Sequence, residues 1–294
     1  MFKTTSFLIF LFLLSQSLIG QERCDVKLNH ISIVLEYKDL KAFRESSFVN
    51  DTLGVLETRK TRVDSVTTST VNFLYGRSNY LELFETSAED PNLGFLTLAF
   101  SVDKINGLNE LKNYLDTIYQ TGIRNFERNL DGVKIPWYDA LTVLDRNIID
   151  SVFLSQCHIW FWIMEYKAEY FKYHGYTIEN DELTRERYLE KHVSGKENRI
   201  IKRFSGIVMK LNPKEKEYIT KFFKTIGYER INESEYMSSD KFRFFIIERQ
   251  PGDQNSIESL KFETSKEFLS RKVVYIPENI TISIQGNEGQ ISFK

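Results

Sequence analysis

The sequence has 294 residues, with 39 basic and 41 acidic side chains, and it is rich in aromatic residues, with 23 Phe and 15 Tyr. A chain of this length has room for one large domain or two ordinary ones, and for a sizeable core. The charges nearly cancel and form no basic stripe, which argues against nucleic acid as a partner.

The first 20 residues have the pattern of a secretory signal peptide. Lys3 supplies a basic start, Phe7 to Leu14 form an uninterrupted apolar run, and Ser17 to Gly20 are rich in small residues. This run is shorter than the ~20 residues that a membrane-spanning helix needs, and no later segment could span a membrane. We therefore predict an exported protein, periplasmic or secreted, with no integral membrane segment after signal removal. In such a compartment Cys24 and Cys157 can pair, and the sequence leaves open whether they do.

The segment from Leu28 to Glu85 predicts a strand, a helix and then three more strands. Residues 28–35 and 79–85 alternate between apolar and polar positions, as strands with one buried face do. Residues 39–47 have apolar side chains at helical spacing. Residues 55–62 and 65–74 alternate and are rich in Thr and Val, which favours strands.

The same order of elements recurs twice along the chain. The second unit has a strand at 95–102, a helical stripe at 108–118 and strands at 135–144 and 152–166. The third unit opens with a strand at 204, continues with a helix from Pro213, and ends with strands and a predicted hairpin at 276–293 whose turn lies at 285–289. The charged residues 167–202 interrupt the pattern. Three units of one order indicate a duplicated module.

Alternation within the first unit places two polar side chains on one face. Successive strand residues point to opposite faces, so His30 and Ser32 lie opposite the aliphatic positions of their strand, and Tyr80 and Glu82 do so in theirs. If both aliphatic faces pack on a helix, His30 and Glu82 emerge on the free face of one sheet. A converging imidazole and carboxylate suggest a divalent-metal site.

The recurrence resembles the vicinal oxygen chelate superfamily, which includes glyoxalase I, extradiol dioxygenases and fosfomycin or bleomycin resistance proteins. More narrowly, it is similar to glyoxalase-like domain proteins and a related uncharacterised bacterial family. The likeness covers most of residues 26–265. It is carried by Leu28-Asn29-His30-Ile31, Tyr80-Leu81-Glu82-Leu83, Leu98-Ala99-Phe100-Ser101-Val102, Trp162-Ile163-Met164-Glu165-Tyr166 and Phe204-Ser205-Gly206-Ile207-Val208.

The resemblance implies an α+β fold in which repeated βαβββ modules form cupped mixed sheets. It divides the chain into a signal peptide at 1–20, paired modules at 26–166, a charged helical linker or insertion at 167–202, and a third module with a C-terminal hairpin at 203–294. In that superfamily a cupped sheet usually holds one divalent metal, with ligands from the first and fourth strands of each module.

By the same resemblance, His30 and Glu82 are the expected metal ligands and Glu165 is a possible third. Phe95 stands at the corresponding place on the first strand of the second unit. The third unit offers Phe204 and Ile246, which cannot bind a metal. Zn, Fe, Mn or Ni would suit an imidazole and carboxylates, and these ligand types do not discriminate between them.

Each candidate also has a structural explanation. His30 is either a metal ligand or a histidine hydrogen-bonded inside the strand layer. Glu82 is a ligand, a catalytic general base if burial raises its pKa, or a salt-bridge partner of Arg59 or Arg77. Glu165 either completes the metal shell or faces water at an edge. The expected substrate-pocket residues are alternatively core residues; they are Tyr80, Trp160, Trp162 and Tyr166.

Two functions follow as hypotheses, both with a small-molecule ligand. The first is an exported glyoxalase-like protein, a metal-dependent lyase, isomerase or dioxygenase that acts on a small oxygen-chelating molecule. The second is a non-catalytic binding protein that keeps the fold but has lost the metal site. A structural envelope protein is a third possibility, and fold alone does not decide among them.

Overall fold

In a computed structural model, the chain folds into two mixed β-sheets with helices packed between and beside them. The structure describes residues 24–62, 68–178, 180–196, 198–250, 252–253, 255–277 and 279–294, and the predicted signal peptide at 1–20 lies outside them. Strands account for 50% of the chain and helices for 23%, which confirms the α+β class. No helix of the described ranges is long and apolar enough to cross a membrane.

The larger sheet contains the first eight strands. They are β1 (Val26–Glu36), β2 (Val55–Arg62), β3 (Thr68–Tyr75), β4 (Tyr80–Thr86), β5 (Leu96–Val102), β6 (Gln120–Leu130), β7 (Val133–Leu144) and β8 (Ile159–Tyr166). Their order across the sheet is β2-β3-β4-β1-β5-β8-β7-β6. Helix α1 (Tyr37–Glu45) and a π-helical turn (Val49–Leu53) follow β1, α2 (Gly107–Leu115) follows β5, and α3 (Ser151–Gln156) precedes β8.

The smaller sheet contains the last six strands. They are β9 (Ile201–Leu211), β10 (Glu229–Asn232), β11 (Glu235–Met237), β12 (Arg243–Glu248), β13 (Ile257–Ile276) and β14 (Ile280–Phe293), in the order β10-β11-β12-β9-β13-β14. Helix α6 (Pro213–Thr225) follows β9. Two further helices, α4 (Ala168–Tyr173) and α5 (Arg185–Val193), lie between the two sheets in sequence.

The two sheets share one hydrophobic core. It contains Leu40 and Phe43 of α1, Leu108 of α2 and Phe222 and Phe223 of α6, together with apolar side chains from both sheets. These helices therefore pack between the sheets and cover one face of each. The opposite face of the larger sheet carries a second hydrophobic cluster, in which Tyr80 and Tyr166 of the sheet group with Tyr170 of α4 and Tyr188 of α5.

Each βαβββ unit pairs its first and last strands in parallel, as β1 does with β4, β5 with β8, and β9 with β12. The first two units join through the antiparallel pair β1 and β5. The third unit has no such partner unit among the described residues. Instead, β9 pairs antiparallel with β13, so the hairpin of β13 and β14 occupies the place of a fourth unit.

Two predicted elements are wrong in detail. Residues 152–156 are not strand, because Asp150 accepts a hydrogen bond from the Phe153 backbone N–H and so caps α3. The turn predicted at 285–289 lies inside β14, where Gly286 has a φ of 60° and β13 shifts register. Bulges of this kind carry glycine for the same conformational reason as turns, which explains the error.

Candidate functional site

The first strand carries a β-bulge at the candidate site. Leu28 and His30 pair with adjacent residues of β5, so Asn29 is the extra residue. Leu28 and Ile31 are both buried in the shared core. The two residues between them turn to the other face, where Asn29 contacts both His30 and the Tyr166 hydroxyl. We call this surface of the larger sheet the His30 face.

Aromatic rings flank His30 on both sides. In the ladder His30 lies beside Tyr80 of β4 and Ala99 of β5, and Ala99 lies beside Trp162 of β8. The His30 ring stacks on Tyr80, with ring centroids 4.7 Å apart, and meets the Trp162 ring edge-on at 5.6 Å. Because Ala99 has only a methyl group, the rings of β1 and β8 meet across it.

A polar row lies next to these rings. Glu82, Ser32 and Thr97 are neighbours across β4, β1 and β5, and all three are half-buried. The Ser32 hydroxyl donates a hydrogen bond of 2.9 Å to Glu82 Oε2. The small side chains of Ser32 and Thr97 make a floor beside the carboxylate, and the rings of Tyr80, His30 and Trp162 line the next row.

Hydrogen bonds determine which nitrogen of His30 carries the proton. The Asn29 amide nitrogen donates to the Tyr166 hydroxyl at 3.2 Å, so Asn29 Oδ1 faces His30 Nδ1 at 2.9 Å. An amide oxygen can only accept, so Nδ1 is the donor and Nε2 of the neutral ring is an acceptor. His30 Nε2 lies 3.8 Å from Glu82 Oε2, which is too far for a hydrogen bond. Two acceptors therefore converge on one point.

Burial keeps His30 and Tyr80 in their neutral forms. Desolvation lowers the pKa of His30, although the nearby Glu82 carboxylate acts in the opposite direction. Desolvation likewise raises the pKa of Tyr80 well above its ordinary value. The imidazole is thus neutral at pH 7 and presents a lone pair, not a charge, toward Glu82.

This shift predicts an acid-dependent loss of stability. Because the folded state holds His30 with a lowered pKa, it binds fewer protons than the unfolded state, and stability falls as the pH drops below about 6.5. We expect His30→Phe to reduce the fall in melting temperature between pH 7.5 and 5.5. His174→Phe, at an exposed ring, is the control with a smaller effect. An unchanged pH dependence in His30→Phe would contradict the assignment.

Helix α5 covers one end of the His30 face. Its Tyr188 stacks on Tyr166 with ring centroids 4.4 Å apart, and its His192 stacks on Tyr75 at 4.5 Å. Tyr166 and Tyr75 are consequently buried. The other end stays partly open, since the Glu82 side chain is 17% exposed. The Glu82 carboxylate is therefore partly in contact with solvent, whereas Tyr166 and Tyr75 are not.

Glu165 lies on the opposite side of the sheet from His30. It is buried, and its carboxylate accepts hydrogen bonds from the backbone N–H groups of Asn106, at 2.9 Å, and Leu108, at 2.8 Å. These groups form the N-terminus of α2, which favours a negative charge. Desolvation raises the pKa of Glu165, and the two N–H groups counteract part of that shift. Glu165 therefore neither joins His30 and Glu82 nor faces water.

The donor set at the His30 face does not fit a resident metal. A catalytic zinc site has three protein ligands and a structural one has four, whereas among the residues that the structure describes this face brings together His30 and Glu82 alone. Among the described residues no group of three His, Cys, Asp or Glu side chains could hold a metal ion. The ligand pair predicted from sequence is thus adjacent, and its predicted third member is used elsewhere.

The remaining predicted residues have separate environments. Trp160 is half-buried beside Thr97 in the ladder, and its ring lies 6.5 Å from that of Tyr218 on α6. Arg59 pairs with Glu57 at 3.1 Å rather than with Glu82. Cys24 and Cys157 are free thiols.

Sequence reasoning missed the roles of Asn29 and Tyr188. Strict alternation places Asn29 on the buried face, and only the bulge brings it to His30. The three-residue spacing of the apolar positions Leu28 and Ile31 is a local signal that would have revealed this bulge. Tyr188 lies far away in sequence, so no local signal could place it over Tyr166.

Comparisons with known proteins give a family and one similar fold, but no function. The model of DUF5829, described as a family of unknown function, matches residues 28–293. No curated protein matches the sequence. A hypothetical protein from Staphylococcus aureus has a similar structure, with a TM-score of 0.50 and 12% identity over 85% of this chain and 96% of its own. That likeness concerns the fold alone.

Two further solved structures are more distant. One is a xylose isomerase-like TIM barrel/4-hydroxyphenylpyruvate dioxygenase fusion protein, with a TM-score of 0.40 and 11% identity over 84% of this chain and 38% of its own. The other is a mutant of 4-hydroxymandelate synthase from Streptomyces coelicolor, with a TM-score of 0.29 and 14% identity over 51% of this chain and 52% of its own. Both scores are too low to support an inference about activity.

Proposed function

We propose that this chain, which belongs to the DUF5829 family, is an exported protein that binds a small ring-bearing amine on its His30 face. The two acceptors that converge there carry the proposal. His30 Nε2 and Glu82 Oε2 lie 3.8 Å apart, and neither donates a proton to the other. A primary amine or ammonium group has several N–H donors and can satisfy both acceptors at once.

The surroundings favour a ring on the same ligand. Trp162 and Tyr138 are half-buried on this face, with ring centroids 5.7 Å apart, and Trp162 reaches His30. Aromatic side chains prefer offset or edge-on contacts with other rings, and ligand sites combine an apolar lining with a few placed polar groups. The export part of the proposal depends on the pattern of residues 1–20.

The test uses 2-phenylethylamine as the probe and calorimetry as the measurement. We expect saturable one-to-one binding to the wild-type protein. Glu82→Ala should weaken binding by a factor of about 10 to 150, since a hydrogen bond to a charged group contributes about 1.5–3 kcal/mol. Trp162→Ala should weaken it several-fold through the lost ring contact. Glu89→Ala removes the same charge from an exposed turn and should change nothing.

An isosteric ligand provides the second control. Benzyl methyl ether has the ring and the same number of heavy atoms as 2-phenylethylamine, but no donor. It should bind at least tenfold more weakly. Equal binding of the two compounds, or equal loss in Glu82→Ala and Glu89→Ala, would refute recognition by the two acceptors.

A second candidate is a metal-dependent glyoxalase-like lyase, isomerase or dioxygenase, although His30 and Glu82 are fewer protein ligands than a catalytic zinc site has. The same two acceptors are of the types that bind Zn, Fe, Mn or Ni. Elemental analysis of the same protein preparations separates the candidates. Stoichiometric metal that is lost in both His30→Ala and Glu82→Ala supports the enzyme, and its absence after loading with each ion supports the binding protein.

A further inference from the structure

The smaller sheet has its own hollow, on the face turned away from the helices. It has a volume of about 760 Å³, within the range of about 300–1,000 Å³ that small-molecule sites occupy. Side chains of β9, β12, β13 and β14 line it. The hollow belongs to the third βαβββ unit and its hairpin, so it is separate from the His30 face.

Strand register shows that this hollow corresponds to the His30 face. In β9, Phe204 and Ile207 are buried in the core. Phe204 and Gly206 pair with adjacent residues of β13, so Ser205 is the extra residue. This repeats the bulge of β1. Gly206 therefore stands where His30 stands in the first unit, and Ser205 stands where Asn29 does. The expectation that Phe204 holds the ligand position of this unit is wrong, because Phe204 is in the core.

The neighbours of Gly206 complete the correspondence. Arg243 of β12 pairs with Gly206 as Tyr80 pairs with His30, and Lys261 of β13 takes the place of Ala99. A Cβ atom on Gly206 would lie 3.0 Å from the Arg243 carbonyl oxygen and 3.7 Å from Lys261 Cδ. Gly206 therefore has little room for a side chain, and it lies between the strands that carry Arg243 and Lys261.

The charge of the hollow is positive although the chain is slightly acidic. Its lining includes five basic side chains, Arg203, Lys241, Arg243, Lys261 and Arg271, against the carboxylates Glu263 and Glu288. The whole chain has a formal net charge of −2, whereas the basic side chains of this lining outnumber its carboxylates. Positive charge is therefore concentrated in the hollow. Low-dielectric walls around clustered charge raise the local concentration of oppositely charged ligands.

Several of these cations have no carboxylate partner. Arg203 is paired with Glu263, and Arg243 with Glu235 at 3.1 Å. Across the described part of the chain, no carboxylate lies within ion-pair distance of Lys241, Lys261 or Arg271. The Lys261 ammonium instead lies 4.0 Å from the centre of the Phe245 ring, a cation–π contact that also supplies an apolar wall.

We infer that this hollow is a second binding site, for a small organic anion that carries at least two carboxylate or phosphate groups. Arg243, Lys261 and Arg271 hold the anionic groups, and Phe245 contacts the ligand's carbon skeleton. Arginine pairs with such groups through two parallel hydrogen bonds. The site does not depend on the amine proposal for the His30 face, since it uses a different sheet and the opposite charge.

The test is calorimetry with citrate and inorganic pyrophosphate at 20 mM NaCl. We expect one of these anions to bind with one-to-one stoichiometry. Its affinity should fall as NaCl is raised to 200 mM, because screening reduces the attraction between the anion and the basic side chains. The tighter probe identifies the anionic group. The double variant K261Q/R271Q should weaken binding at least tenfold. The control K224Q/R230Q removes the same charge from exposed positions outside the hollow and should weaken binding less than twofold.

A second variant covers the case in which K261Q/R271Q does not fold. Ser205→Glu adds a carboxylate to the lining and keeps every cation, and it should also weaken binding at least tenfold. Three results would each overturn the inference: no saturable binding of either anion, an equal loss in the control, or unchanged affinity in both hollow variants.

Discussion

Glu215→Ala should lower the free energy of unfolding by about 3–5 kcal/mol, the cost of leaving a buried charge without its partner. Glu215 is completely buried and forms an ion pair with Arg249. Its carboxylate also accepts hydrogen bonds from the backbone N–H groups of His158, at 2.7 Å, and Asn212, at 2.8 Å. The alanine variant loses all of these interactions at once.

The position of Glu215 explains why the loss should be global. Asn212 and Glu215 form a capping box at the start of α6, which belongs to the third unit, whereas His158 precedes β8 of the larger sheet. One carboxylate therefore links the two sheets. Urea denaturation measures the change, and the control is Glu217→Ala at an exposed site of the same helix, expected within about 0.5 kcal/mol of wild type. Similar midpoints for both variants would contradict this account.

Arg185→Met should lower the free energy of unfolding by a similar amount, about 3–5 kcal/mol. The Arg185 side chain is 2% exposed and lies 3.1 Å from Asp240 and 3.8 Å from Asp103. Its guanidinium also donates to the backbone carbonyl of Leu28. Methionine fills much of the volume but removes the guanidinium from two carboxylates and this carbonyl, so that Asp103 retains only Lys27 and Asp240 only the Ser238 hydroxyl among the side-chain interactions of the described residues.

Arg185 also determines where the cover of the His30 face sits. It begins α5, and Leu28 immediately precedes the bulge that directs His30. We expect faster hydrogen exchange of the α5 amides in Arg185→Met, measured beside the urea transition. Arg187→Met, at a half-buried position of the same helix, should cost less than about 1 kcal/mol. Protected α5 amides in Arg185→Met would refute this anchoring role.

The sequence predicted much of the architecture because its signals are local. Alternation identified β1 and β4 and placed His30 and Glu82 on one face, where they lie 3.8 Å apart. Apolar spacing identified α1, α2 and α6, and Pro213 marked the start of the last of these. Each of these inferences needs only side chains within a few residues of one another, and for these the periodicities of strand and helix are sufficient.

Tertiary structure alone decided what each polar residue does. Glu165 follows the alternation of β8 to the buried face, and only the position of α2 provides the N–H groups that it binds. The residues that face the bulges at Asn29 and Ser205 depend on how β1 and β9 pair with strands far away in sequence. His30 and Gly206 occupy equivalent places in their sheets, but their surroundings differ. The strands beside His30 supply Tyr80 and Ala99, whereas those beside Gly206 supply Arg243 and Lys261. Local periodicity fixes the face on which a side chain lies, whereas its partners are set by contacts between distant segments.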